Sequence, residues 1–84
     1  MWTVITGKPV ERRLNRIPNP DKARIKQALK DLETNPKQLD IKPLTGCDEH
    51  RLRVGDWRLI MKIDEEKKLI FIRALGSRGD VYKK

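Results

Sequence analysis

The sequence predicts an α+β domain in the order β-α-α-β-β-β: an N-terminal strand, then an antiparallel helical hairpin packed on one face of a mostly antiparallel sheet. Three observations lead there. Apolar residues recur at helical spacing from Val10 to Leu32, and from residue 50 onward the period falls to two, the period of strands. Gly55-Asp56 separates two of the alternating runs, and glycine first in a two-residue turn is the mark of a type II′ hairpin. Helices gathered before strands, rather than alternating with them, indicate α+β instead of a parallel sheet. Residues 1–84 are expected to form a single domain, because a chain of this length has material for one core only.

Taken in order, Trp2-Thr3-Val4-Ile5 reads as a short strand on its β-branched and aromatic content. Residues 8–17 carry Val10, Leu14 and Ile17 at helical spacing, and Pro9 suits a first helical turn. Pro18-Asn19-Pro20 interrupts the pattern. Asn19 can cap, and Pro20 can open, a second helix in which Ile25, Ala28, Leu29 and Leu32 form an i, i+3, i+4, i+7 stripe. Asn35-Pro36 ends it. The many Lys and Arg residues of both helices read as a solvated face rather than an RNA groove. Residues 36–49 read as a loop. Residues 50–54, 57–63 and 68–75 then read as a three-stranded meander, its second turn formed by Asp64-Glu65-Glu66-Lys67.

Charge narrows the function classes. Twenty Lys and Arg against twelve Asp and Glu leave +8, which predicts a polyanionic partner, nucleic acid first among them. The excess leans to the C-terminal part, where residues 50–84 hold ten basic and five acidic side chains. Cys47 stands alone, so neither an intramolecular disulfide nor a cysteine metal quartet can form, and a cytoplasmic setting is expected. The longest apolar run, Leu69-Ile70-Phe71-Ile72, is far short of the roughly 20 residues of a membrane span, so no membrane association is expected. No His/Asp/Glu group has metal-ligand spacing. Neither a metal nor another cofactor is expected, and a two-metal nuclease is disfavoured.

The hairpin turn carries the argument to a site. If Val54 and Trp57 flank it, Arg53 lies opposite Arg58, Leu52 opposite Leu59, and Arg51 opposite Ile60. Side chains alternate across a strand, so Leu52 and Leu59 share one face while Arg51, Arg53 and Arg58 share the other. Continuing the count across the second turn pairs Ile63 with Lys68 and Arg58 with Arg73, placing four arginines beside Ile60 and Phe71. Like charges directly opposite one another destabilise a sheet, and such local conflicts tend to mark functional sites. The competing expectation is that carboxylates such as Asp48, Glu49 or Asp56 neutralise the arginines. Arginine offers phosphate a permanently charged planar fork. Several on a rigid sheet can stabilise the charge that gathers on phosphorus during displacement. RNA would bring its own nucleophile, the 2′-OH. Phe71 is the aromatic placed to stack on a base, whereas Trp57 shares the parity of Leu59 and Met61 and reads as core.

The stretches Leu44-Thr45-Gly46, His50-Arg51-Leu52-Arg53-Val54-Gly55-Asp56-Trp57-Arg58-Leu59-Ile60 and Arg73-Ala74-Leu75-Gly76-Ser77-Arg78-Gly79-Asp80-Val81-Tyr82 together resemble the RelE/ParE toxin superfamily, on its RelE-like, mRNA-cutting side. The resemblance covers nearly the whole chain. It implies the toxin of a type II toxin–antitoxin system, an endoribonuclease acting on mRNA at the 70S ribosome and silenced by a cognate antitoxin. It also implies site residues: Arg51 and Arg53 on one strand, Arg58 across the hairpin, and Arg78 and Tyr82 near the end. Arg58 and Arg78 would hold the scissile phosphate, and Tyr82 would be the general base or a stacking group. Some members have lysines at the positions of Arg51 and Arg53. Arginine cannot readily give or accept a proton near neutrality, so proton transfer falls to Tyr82 or to His50. His50 has the better intrinsic pKa, about 6.5, but shares the inward parity of Leu52. The chain also ends two residues after Tyr82, without the C-terminal helix of longer members. Two further readings stay open: a ParE-like gyrase poison, and a non-catalytic basic domain that binds RNA or the ribosome.

Overall fold

A five-stranded sheet carries two helices on one face in the computed structural model, which describes residues 2–35, 38–44 and 48–77. The elements are β1 (Thr3–Thr6), α1 (Lys8–Arg16), α2 (Asp21–Thr34), β2 (Asp40–Pro43), β3 (Glu49–Val54), β4 (Trp57–Asp64) and β5 (Leu69–Ser77). Across the sheet the order is β1-β5-β4-β3-β2. β1 runs parallel to β5, and every other pairing is antiparallel. The α+β architecture is the one expected. One strand was not: β2 lies inside the segment read as a loop and pairs along β3 from Asp40↔Arg53 to Pro43↔His50.

The helices bury the stripes that predicted them. Val10, Leu14 and Ile17 from the first segment, and Ile25, Ala28 and Leu32 from α2, meet Leu52, Leu59, Met61, Ile70, Ile72 and Leu75 of the sheet in one cluster. Burying an aliphatic side chain of this size stabilises by about 1.5–3 kcal/mol. Pro9 occupies the first turn of α1 as expected. Asn19 does not cap α2. Pro20 takes the cap position in a near-helical conformation with no side-chain cap bond. The first turn closes instead through the Arg24 N–H, which donates to the Pro20 carbonyl at 3.1 Å. Asp21 supplies the first-turn carboxylate, which favours the positive end of the helix.

The β3–β4 register is the one deduced from the turn: Val54↔Trp57, Arg53↔Arg58, Leu52↔Leu59 and Arg51↔Ile60. Gly55 has φ 60°, the left-handed value that a type II′ turn needs at its first position. The β4–β5 register differs from the expected one. Asp64 stays in the strand and pairs with Leu69, and Ile63 pairs with Ile70. The Asp64 carboxylate accepts the Lys67 N–H at 3.2 Å, and Lys68 takes φ 52°, so the turn occupies residues 65–68. A bulge between Ile60 and Met61 then sets Ile60 opposite Ala74 and Met61 opposite Ile72, so that Arg58 faces Gly76 rather than Arg73.

Candidate functional site

The face of the sheet away from the helices is built in rows. Gly76, Arg58, Arg53 and Asp40 form one row across β5, β4, β3 and β2, and Ala74, Ile60, Arg51 and Lys42 form the next. Further along, Ile5, Phe71, Lys62 and Glu49 form a third, reaching β1. Arg51, Arg53, Arg58, Arg73 and Phe71 therefore share one face, as expected from strand parity. Ile60 is fully buried there, outside the main core cluster, so the arginines stand around an apolar floor rather than on open backbone. Ile5 and Phe71 are both exposed on adjoining strands. Ile5 was not singled out by its sequence, because its place beside Phe71 depends on the parallel β1–β5 pairing.

The four arginines divide into two kinds. Arg51 pairs with Asp40 at 3.5 Å and its side chain is only 15% exposed. Its Nε is buried with no hydrogen-bond partner among the described residues. Arg73 reaches over β4 to grip both carboxylate oxygens of Glu49 on β3, one of them at 2.9 Å. By contrast, Arg53 donates only to the Gly55 carbonyl, at 3.4 Å, and neither Arg53 nor Arg58 has a carboxylate partner among the described residues. Of the acids considered as neutralisers, Glu49 serves Arg73. Asp40, the partner of Arg51, lies on the strand that was read as loop, and its alternation with Ile41 and Lys42 was the faint signal of that strand. Among the described residues, the arginine pair without a carboxylate partner is thus the one held in direct opposition by a two-residue turn.

Arg78 and Tyr82 lie outside the described residues, as does Cys47. His50 follows the parity of Leu52, as anticipated, and lines a depression of about 570 Å³ with Ile63, Asp64, Glu65 and Glu66. Its Nδ1 is buried and has no hydrogen-bond partner among the described residues. Trp57 packs against the core, as its parity indicated, with its indole N–H donating to Asp21 Oδ2 at 3.1 Å. Among the described residues, no group of three or more His, Cys, Asp or Glu side chains could hold a metal ion, and no helix is long and apolar enough to cross a membrane.

Comparison with known proteins connects this geometry to a family. A family profile described as the ParE toxin of type II toxin–antitoxin systems matches residues 6–82. RelE1 of Methanocaldococcus jannaschii is 32% identical over 98% of this chain and 96% of its own length. A chain in the crystal structure of the archaeal RelE–RelB complex from Pyrococcus horikoshii OT3 is similar in fold, with TM-score 0.81 and 29% identity, covering 94% of this chain and 97% of that one. A chain of the toxin–antitoxin complex RelBE2 from Mycobacterium tuberculosis gives TM-score 0.79 and 26% identity over 92% of this chain and 98% of its own.

Proposed function

The chain belongs to the RelE/ParE toxin superfamily of type II toxin–antitoxin systems, as a RelE-like toxin, and from that premise we propose that it is a metal-independent endoribonuclease that cuts mRNA on the ribosome. In this reading residues 1–84 act as one cytoplasmic toxin domain. A RelB-type antitoxin silences it, as the complexes of the Pyrococcus and Mycobacterium relatives suggest. The observation that carries the reading is the Arg53–Arg58 pair: two guanidiniums directly opposite on a rigid hairpin, on the face free of helices, with no carboxylate partner among the described residues. Two adjacent permanent charges of this kind are complementary to a phosphate, and more so to the extra charge of a pentacoordinate phosphorus.

The chemistry follows from what arginines can and cannot do. The 2′-OH of one nucleotide attacks the adjacent phosphorus, the bond to the 5′-oxygen breaks, and a cyclic phosphate and a 5′-OH result. Arg53 and Arg58, joined by Arg78, hold the phosphoryl oxygens as charge builds on them. Arg51 and Arg73, already neutralised by Asp40 and Glu49, orient RNA and steady the sheet, and Phe71 offers a ring to a base beside them. Because no arginine exchanges a proton near neutrality, Tyr82 takes the proton from the 2′-OH, and a proton is returned to the leaving oxygen. Induced expression of the chain in cells, followed by primer extension on cellular mRNA, tests this reading. Growth arrest with new message ends is the expected result. One observation favours a second reading, a gyrase poison: the matching family profile is described by its ParE member. Arrest with intact messages and broken chromosomes would establish that reading instead.

A further inference from the structure

A second set of arginines with no carboxylate partner among the described residues lies on the opposite side of the sheet. Arg12, Arg13 and Arg16 line an open depression of about 580 Å³ together with Pro18 and the half-buried Trp57. All three are exposed, and none forms an ion pair among the described residues. Arg12 and Arg16 are four apart on α1, and Arg13 and Arg16 three apart, spacings at which like charges repel by a few tenths of a kcal/mol. The negative end of the helix offsets part of that for Arg13 and Arg16, which sit in its last turn. It does not account for Arg12, nor for the ring among them. Glu11, the one acid of α1, is turned to Thr6 Oγ1 at 3.3 Å. Trp57 is held in place by its bond to Asp21, so an aromatic surface stands ready among guanidiniums.

We propose that this depression is a second RNA-contact site, in which the Trp57 ring stacks on a base of single-stranded RNA and Arg12, Arg13 and Arg16 bind its phosphates. Charge and shape choose RNA over an acidic peptide. Either would satisfy the arginines, but a fixed flat ring beside them matches a nucleobase followed by phosphate. Topology joins the site to the proposed cleavage face. Trp57 and Arg58 are consecutive on β4 and point to opposite faces, immediately after the Gly55-Asp56 turn. A strand passing around that end of the sheet touches Arg58 on one side and Trp57 on the other. The inference rests on the RNA-cutting reading for its biological sense, though not for its test.

The test measures binding of a 2′-O-methylated single-stranded oligoribonucleotide, which lacks the nucleophile, to the full chain. In a Trp2→Phe background, RNA should quench the remaining Trp57 fluorescence. The triple variant Arg12→Gln/Arg13→Gln/Arg16→Gln should weaken binding roughly tenfold or more, and flatten the salt dependence by about two units, near 0.7 for each lost phosphate contact. Arg24→Gln/Lys26→Gln/Lys30→Gln removes the same charge from α2 and should do markedly less. Equal effects of the two triples would overturn the site, leaving net charge as the explanation. So would Trp57 quenching by a poly-glutamate peptide and not by RNA. Should the first triple fail to fold, absence of RNA quenching of Trp57 in the folded Trp2→Phe protein refutes the site by itself. A parent that cuts mRNA, with a first triple that binds like the parent, defeats the site and spares the function. A parent that cuts nothing, with a first triple that loses RNA, defeats the function and spares the site.

Discussion

Replacing Arg58 by glutamine should raise stability and abolish most cleavage, whereas replacing Arg73 should lower stability and spare most cleavage. The contrast follows from their partners. Arg58 lies opposite Arg53, neither has a carboxylate partner among the described residues, and Asp40 on the far side of Arg53 is taken by Arg51; a like-charge pair of this geometry costs about 0.2–1 kcal/mol. In a domain of this size 1 kcal/mol moves Tm by about 4–8 °C, so Arg58→Gln should melt higher by roughly 1–8 °C. The gain should shrink in 1 M salt, where the screening length falls to about 3 Å. Arg73 instead holds a Glu49 side chain that is only 13% exposed, through two hydrogen bonds. Because Arg73 itself is 42% exposed, we discount a charge-assisted pair to about 1 kcal/mol, a fall in Tm of several degrees. On the rate, loss of one preorganised donor to the phosphoryl oxygens costs about a hundredfold or more. Arg58→Gln should show that loss in single-turnover cleavage, and Arg73→Gln only a few-fold change. Thermal melts at low and high salt, with single-turnover rates on one RNA, measure all four quantities. An Arg58→Gln protein that melts lower and cuts at the parent rate would refute the assignment. So would a folded Arg73→Gln protein that cuts nothing.

Affinity for RNA or ribosomes should fall steeply with rising salt, and removing Arg53 or Arg58 should flatten the slope by about 0.7 each on single-stranded RNA; a filter-binding series across salt reads this directly, and an affinity indifferent to salt would sink the electrostatic argument. Tyr82→Phe should slow single-turnover cleavage by about a hundred- to ten-thousandfold with binding little changed, while His50→Gln, on the helix side of the sheet, should cut near the parent rate; the reverse outcome would make His50 the base. Co-expression with the neighbouring open reading frame should yield a soluble complex and relieve growth arrest, and a chain that stays harmless and partnerless in cells would weaken the toxin reading.

What was legible in the sequence depended on how far apart the deciding residues lie. The helical stripes are local, and both helices formed where their apolar period placed them. The β3–β4 pairing is set by two residues, Gly55 and Asp56, and by one buried face, so Arg53 could be placed opposite Arg58 without coordinates. β2 was hidden because its four residues include a single inward apolar side chain, Ile41, and it exists as a strand only through β3. The arginine partners were hidden for the same reason. Arg51 finds Asp40 eleven residues away across β2–β3, and Arg73 finds Glu49 twenty-four residues away across a whole intervening strand. Turn chemistry reports none of this.

The register of Arg73 was misplaced for two reasons: the second turn sits at residues 65–68, and a bulge follows that the sequence itself carries. On β5 the buried aliphatic side chains are Ile70, Ile72 and Leu75, at 1%, 0% and 5% exposure. The step of two from Ile70 to Ile72 is that of a regular strand; the step of three to Leu75 is not, and a strand can make it only by inserting one residue. The bulge at Arg73 is that insertion. Without it, the pairing of Met61 with Ile72 would continue as Ile60 with Arg73, Leu59 with Ala74 and Arg58 with Leu75, leaving Leu75 on the arginine face and Ala74 in the core. With it, Leu75 meets Leu59 inside, small Ala74 lies beside Ile60, and Gly76 faces Arg58. Burial of one leucine is worth about 1.5–3 kcal/mol, comparable to what a disrupted ladder hydrogen bond or two costs, so the core gain supports the bulge. Arg73 is the inserted residue, and from there it reaches Glu49. Without the bulge, Leu75 rather than Gly76 would stand opposite Arg58. The bulge that seats Leu75 therefore also puts glycine rather than leucine beside Arg58, which like Arg53 has no carboxylate partner among the described residues.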